Sequence, residues 1–518
     1  MRLMLSSFGA QNIDLASTAD DALMKCKFDF YDIILCDFNL GAGKNGQQIL
    51  EELRVRKRLK HTHLFIMITA ETSKDVVLGT REYQPDAYIA KPVTRTVLEQ
   101  RLGQLLTQQK QLKPINREID LENHSKAISL CHEILEGSSR YRSWCYQTLA
   151  KLYTLIGDNA SAEKIYRDVL NIRELPWARL GMGELLILEE QYDSAKSCFQ
   201  EVVTSNPNMI EAYDGISTAC MKLGQAREAQ AALQSAVELS PRVVPRQVKL
   251  GNICLKNNDL SSASQAFRQA VNYGDNSIHE KPQNYLELGR CLADLSRGDI
   301  SEQGKALAKE AISTMTAAEH KFSNDEDVCI NSFLIESRVY YGQSKQKEAE
   351  DSLHKAESYI EEASISPEVG LEFAKTLYAS DQTEKAEMLL IDLSKRFKDN
   401  KAVLSKIEAL MDEPEDLETR LKAKDLNKQA ISSVDAGQMD AAIEAFKAAL
   451  DLTPKHAALI LNFVQVLIKH FKDTELPELL ETASSALNRL KHIPEQHHQY
   501  KRLQHFKKLI AKLSTEQA

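Results

Sequence analysis

The sequence predicts two architectures in series: a small α/β unit built on a parallel sheet, then a long all-α solenoid of stacked helix pairs. Short apolar runs alternate with helical stretches over the first hundred residues, and polar residues stand where those runs end. After about residue 120, small and large apolar residues return every 34 positions.

Bulk properties agree with a water-soluble chain of more than one unit. A length of 518 residues exceeds one ordinary core, and the composition is 43% hydrophobic and 27% charged. A net charge of −9 gives no electrostatic case for nucleic acid. No apolar run reaches the roughly 18 residues of a membrane span, and the first residues do not read as a signal peptide. Nine cysteines include no CxxC pair, and Cys220 and Cys254 fall at helix-core positions, so reduced thiols and a cytoplasmic location are expected.

In chain order, residues 11–16 (QNIDLA) are expected as a short strand and 20–27 as a helix. Residues 31–36 form a continuous apolar strand that ends at Asp37. A loop with Gly41, Gly43 and Gly46 leads into a helix over 47–57 carrying Ile49, Leu50 and Leu53. Residues 64–68 (LFIMI) make the next buried strand, and Thr72 or Ser73 is placed to cap a helix through Val76, Val77 and Leu78. Residues 87–90 make another short strand, and an amphipathic helix follows from Val93. Uninterrupted apolar strands, rather than alternating ones, indicate a parallel sheet covered on both faces.

Three strand ends are polar: Asp37, then Thr69 with Ala70, then Lys91 with Pro92. In a parallel sheet they share one edge. A carboxylate can accept a phosphoryl group there, and a hydroxyl and an ammonium can hold its oxygens. The plainer alternative is that a strand-end aspartate only caps the next helix.

The spacing of Asp37, Thr69 and Lys91–Pro92, with Tyr88 three residues before the lysine, resembles the receiver domain of bacterial response regulators over residues 1–106. That resemblance implies a CheY-like (flavodoxin-like) α/β fold. It also implies roles: Asp37 as phosphoacceptor, Thr69 as switch hydroxyl, Lys91 as phosphate-pairing lysine and Tyr88 as the aromatic that turns inward. Asp37 and the backbone carbonyl of Asn39 would be ligands of Mg²⁺, and a sensor histidine kinase or phosphotransfer protein would be the partner. The loop GAGKNG is one residue longer than the usual pattern and lacks its proline, so Lys44 is given no catalytic role. The first strand and acid pair of such domains are missing. The opening MRLMLSSFGAQNIDLA reads as the end of the first helix, so a natural product starting upstream is expected. Asp20 and Asp21 sit at a helix start, as capping residues rather than metal ligands.

Residues 107–119 are expected as a linker in which Pro114 breaks the run, with a helix running straight on as the alternative. Beyond it, Gly183, Ser217 and Gly251 keep a spacing of 34, as do Ala195, Ala229 and Ala263, and then Phe199, Leu233 and Phe267. Pro207 and Pro241 close two units. This is the tetratricopeptide (TPR) pattern: small residues let two helices approach, and the large one plugs the groove beside them. Looser units contain Tyr146, Leu149, Ala150, Tyr153, Ala162 and Tyr166; then Leu288, Gly289 and Leu292, followed by the insertion SRGDISEQGKA; then Ala349 with Leu353; then Ala374, Ala386 and Leu390. A clear last unit has Ala430, Gly437, Ala442, Phe446, Ala449 and Pro454. The array is thus expected over 120–454, with a helical cap over 455–518 whose His497 and His498 could bind metal or simply face solvent.

No HExxH, GxSxG or GxxxxGK[ST] motif occurs, so no enzymatic activity is expected. The expected function is a phosphorelay response regulator in which phosphorylation of Asp37 modulates protein binding by the array. The alternative is a constitutive scaffold with a degenerate, unphosphorylated receiver.

Overall fold

Three apolar runs build the sheet. A computed structural model of the chain describes all residues except 42, 71–84, 138–139, 361–364, 411–416, 454–455, 491–498 and 517–518. The strands Ile33–Asp37 (β1), Leu64–Thr69 (β2) and Ala87–Ala90 (β3) are parallel, in the order β1-β2-β3. Asp37 pairs with Ile68, and Thr69 with Ala90, so all three strands end together. Every residue of β2 is buried because helices cover both faces of the sheet. On one face, Ile49, Leu50 and Leu53 of the helix Gly46–Val55 (α3) pack with Cys36, Phe38, Phe65 and Met67. On the other, Leu98 and Leu102 of the helix Arg95–Asp120 (α4) pack on Ile66 and Ile89, joined by Met4, Leu5 and Phe8 from the N-terminal segment.

Residues 11–16 do not form the expected strand. Among the described residues no strand lies beyond β1 to pair with them, and a strand is held by its neighbour's N–H and C=O groups. The segment is tied instead by Tyr31, whose hydroxyl donates to Asp14 at 2.9 Å. The same open edge leaves Ile33, Ile34 and Leu35 only half-buried.

The helix start expected near Asp20 is present as Ala19–Phe28 (α2), with Thr18 as its N-cap. Asp21 accepts from the Ser17 amide at 3.2 Å, so this acid closes the first turn. Residues 107–119 are helical rather than broken at Pro114, since all of them lie within α4. An interior proline costs about 3 kcal/mol, but Leu112 and Ile115 flank it and are fully buried. Ile115 packs on Ala127 and Cys131 of the next helix, His124–Glu136. One helix therefore covers the sheet with its first half and opens the helical array with its second.

The chain divides into two compact units, Met1–Tyr285 and Leu286–Ala518. Within the first, the helix pairs follow the 34-residue register. Ala195, Ala229 and Ala263 are wholly buried, as is Ser217. A Cβ on Gly183 would stand 2.6 Å from the Phe199 ring, and one on Gly251 2.7 Å from Phe267. Within the second, a Cβ on Gly289 would meet Met315 at 2.5 Å. Leu353, Ala374, Ala386, Leu390, Ala430, Ala442 and Phe446 are all buried as the repeat pattern requires. The helices Ala457–Thr474, Pro477–Asn488 and Tyr500–Glu516 close the array, with Leu503, Phe506 and Ile510 packed among Ile460, Val464 and Leu487.

The helix expected after Thr72 or Ser73, Pro454, His497 and His498 lie outside the described residues. No described helix is long and apolar enough to cross a membrane. All nine cysteines are free thiols.

Candidate functional site

The strand ends converge because the hydrogen-bond ladder runs on past the strands. The Phe38 amide donates to the Ile68 carbonyl and the Lys91 amide to the Thr69 carbonyl, each at 2.8 Å. This alignment brings the side chain of Lys91 across the sheet edge, where its ammonium donates to Oδ2 of Asp37. Asp37 Oδ1 accepts from the Asn39 amide at 3.2 Å. The side chains of Lys91 and Asp37 are 42% and 33% exposed, so a donor can reach the carboxylate from solvent.

Thr69 is buried at the same edge, at the end of the central strand between Asp37 and Lys91. Tyr88 stands opposite Met67 and packs, partly buried, on the core that includes Cys36, Phe38 and Ile49. The Cys36 thiol is pushed up to about 12 by burial and then by the Asp37 charge, which keeps this neighbour of the carboxylate un-ionised. Lys44 is held away from Asp37 chemistry by Glu52 at 2.7 Å.

The loop after Asp37 returns the chain tightly. The Gly46 amide donates to the Phe38 carbonyl at 2.9 Å. A Cβ on Gly46 would lie 2.3 Å from the Asp37 carbonyl oxygen, so only glycine lets α3 begin this close to Asp37. Asn45 and Gln48 form a capping box that fixes the first turn.

The magnesium ion implied by the receiver resemblance finds an incomplete donor set. Mg²⁺ demands octahedral oxygen coordination, whereas Asp37 is one carboxylate with an oxygen already on Lys91. Asn39 is seen contacting Asp37 through its N–H. Among the described residues no three His, Cys, Asp or Glu side chains gather as a metal site. Asp37 and the Asn39 carbonyl by themselves supply two of the six oxygens that an octahedral Mg²⁺ takes.

A buried charge network in the second unit escaped the sequence reading. Arg290 donates to Glu372 at 2.8 Å, to Glu287 at 2.9 Å and to Asn331 at 3.0 Å. Arg338 pairs with the other Glu372 oxygen at 3.3 Å. Burial works to raise the Glu372 pKa, but Arg338, Lys375 and Arg290 overcome it and hold it at about 2. The local signal was a charge beside the small residues of two helix crossings, Arg290 next to Gly289 and Glu372 two residues before Ala374.

Comparison with known proteins follows this division. Residues 1–103 match the response regulator receiver domain. Tetratricopeptide repeat models match 217–284, and also 178–209 and 430–456. Chemotaxis protein CheY-3 of Vibrio cholerae serotype O1 is 28% identical over 102 residues, which is 20% of this chain and 77% of that protein. YrrB, described as a TPR protein with an unusual peptide-binding site, covers 38% of this chain and 91% of its own, at 16% identity and a TM-score of 0.30. MamA 41-end from Desulfovibrio magneticus RS-1 covers 32% of this chain and 92% of its own, at 20% identity and a TM-score of 0.28. The chain thus carries a response regulator receiver domain at its N-terminus, followed by tetratricopeptide repeats.

Proposed function

We propose that this chain is a phosphorelay response regulator whose output is protein binding by its repeats. The observation that supports it is the Lys91 ammonium on Oδ2 of a half-exposed Asp37, at an edge shared with Thr69. A carboxylate oxygen of Asp37 attacks the phosphorus of a phosphohistidine on a sensor kinase or phosphotransfer protein. The new P–O bond forms as the P–N bond breaks, and the electron pair leaves with the imidazole, which is protonated. The product aspartyl phosphate carries about −2 charge where the carboxylate carried −1, Lys91 offsets part of it, and the Thr69 hydroxyl donates to a phosphoryl oxygen. Tyr88 and Thr69 then act as the switch. In this reading the receiver occupies residues 1–106 and the array 120–454, closed by 455–518, in the cytoplasm and without an enzymatic output.

Incubation of the full chain with a small phosphodonor, with and without Mg²⁺, tests it by intact mass. One phosphoryl group is expected on the wild type and none on Asp37→Asn. A label that persists in Asp37→Asn refutes the assignment.

The incomplete donor set favours a second reading, a constitutive scaffold whose receiver serves only as an interaction domain. It requires no uptake from any donor and identical partner capture by wild type and Asp37→Asn.

A further inference from the structure

The helix that starts beside Asp37 carries polar residues that are buried. Gln47, Glu51 and Glu52 of α3 are each 5% exposed, although the apolar face of α3 is already used against the sheet. Uncovered, that second face would be solvated. Part of what covers it comes from the array. Gln48 Nε2 donates to the Asp275 carbonyl at 3.0 Å, across 227 residues of sequence. His279 lies 4.0 Å from Glu51, and Gln47 donates to Glu51 at 2.9 Å.

The segment that receives α3 is longer than the two inter-repeat turns before it. The turns before Ile210–Lys222 and Val244–Lys256 have four residues each, 206–209 and 240–243, while the turn before Pro282–Ser296 has seven, 275–281. The longer turn is built rather than loose. The Asn276 amide donates to Glu280 at 2.9 Å, and the His279 amide to Ser277 at 3.1 Å. Asn284 holds the His279 carbonyl at 3.2 Å, and the Tyr285 hydroxyl donates to Glu280 at 2.9 Å. Burial and then nearby Lys281 hold the His279 imidazole below its ordinary range, so it meets Glu51 as a neutral ring at pH 7.

We propose that Gln48 and Glu51 of α3 form the docking surface by which the receiver grips the extended turn 275–281 of its own array, and that phosphorylation of Asp37 loosens this grip. The second half rests on the phosphorelay reading above. The path is short. Gly46, at the first position of α3, has no clearance from the Asp37 carbonyl, and Gln48 follows two residues later. A main-chain shift that accommodates a phosphoryl group on Asp37 is therefore passed to the first turn of α3. The Gln48–Asp275 hydrogen bond and the 4.0 Å approach of His279 to Glu51 lie at that first turn and the next.

Amide hydrogen exchange of residues 275–281 in the full chain tests both halves. Without donor, Gln48→Ala combined with Glu51→Ala is expected to speed exchange roughly two- to tenfold, the loss of one or two modest hydrogen bonds. His279→Ala, made separately, is expected to speed exchange of residues 47–52 with an unchanged melting profile. Unchanged exchange in both variants overturns the docking surface. With phosphodonor, loaded wild type, verified by mass, is expected to exchange at 275–281 as the double variant does. Loaded protein with unaltered exchange overturns the readout. Absence of loading overturns the phosphorelay reading and the readout with it, while the docking surface stands or falls on the first arm.

Discussion

The ammonium of Lys91 rests on Oδ2 of Asp37, a contact between residues 54 apart in sequence. Parallel pairing to β2 from both sides creates it, since Asp37 ends β1 opposite Ile68 and Lys91 follows Ala90, which stands opposite Thr69. Removing the lysine separates the chemistry proposed for this edge from its fold.

Lys91→Ala should leave the melting temperature of the receiver nearly unchanged, because a pair this exposed contributes about 0–1 kcal/mol. Its effect should appear in the lifetime or yield of the phosphoryl adduct, followed by mass after a phosphodonor pulse. A large loss of thermal stability with normal labelling would make Lys91 a structural residue.

Phe199 fills the space between two glycines, since a Cβ on Gly183 or on Gly215 would lie 2.6 Å from its ring. Phe199→Ala should cost about 3–5 kcal/mol through lost burial and the cavity left behind. Urea unfolding followed by circular dichroism measures it, and a change below about 1 kcal/mol would show that the helices close over the gap.

Glu372→Ala should be comparably damaging to the second unit. It leaves Arg290 and Arg338 buried without their shared carboxylate, a loss of about 3–5 kcal/mol. The wild-type pH dependence follows from the same group. Its folded pKa of about 2 lies below its ordinary 4.5, so its contribution is complete above pH 4.5. It fades as the pH falls from 4.5 towards 2. Urea midpoints measured from pH 6 to pH 3 should fall in the wild type more steeply than in Glu372→Gln.

Glu336 should behave in the opposite sense. Burial and then the nearby Glu319 push its carboxyl up to about 7, against the pull of Lys355 and a hydrogen bond from Thr316. The folded chain then binds the proton more tightly than the unfolded chain, so this group's contribution declines as pH rises from 4.5 to 7 and is absent above it. Glu336→Gln should therefore raise stability at pH 8, by about 1–3 kcal/mol, and change it little at pH 4. Denaturation midpoints at the two pH values provide the comparison.

Much of the fold was legible because its causes are local. The continuous apolar runs at Ile33–Asp37 and Leu64–Thr69 form parallel strands, the second wholly buried, and Ala195 and Phe199 are buried as their spacing required. The strand expected at 11–16 failed because pairing is a property of two segments, and its propensity described only one. Pro114 misled for a related reason: the buried Leu112 and Ile115 beside it hold α4 continuous. A further signal was present but unused, since Ala127 and Cys131 precede Ala162 and Tyr166 by 35 residues each and mark one more repeat-like pair.

By itself, the sequence determined the three strands of the sheet and most of the helices, the order of receiver and repeats, and the polar residue at each strand end. Those features depend on side-chain periodicity over a few neighbouring positions. The tertiary structure alone decided which polar groups meet. Lys91 reaches Asp37, Gln48 reaches Asp275 and Arg290 reaches Glu372 only after helices and strands distant in sequence have packed. The energy of a buried charge or hydrogen bond lies in the partner that replaces water, and no local pattern names that partner.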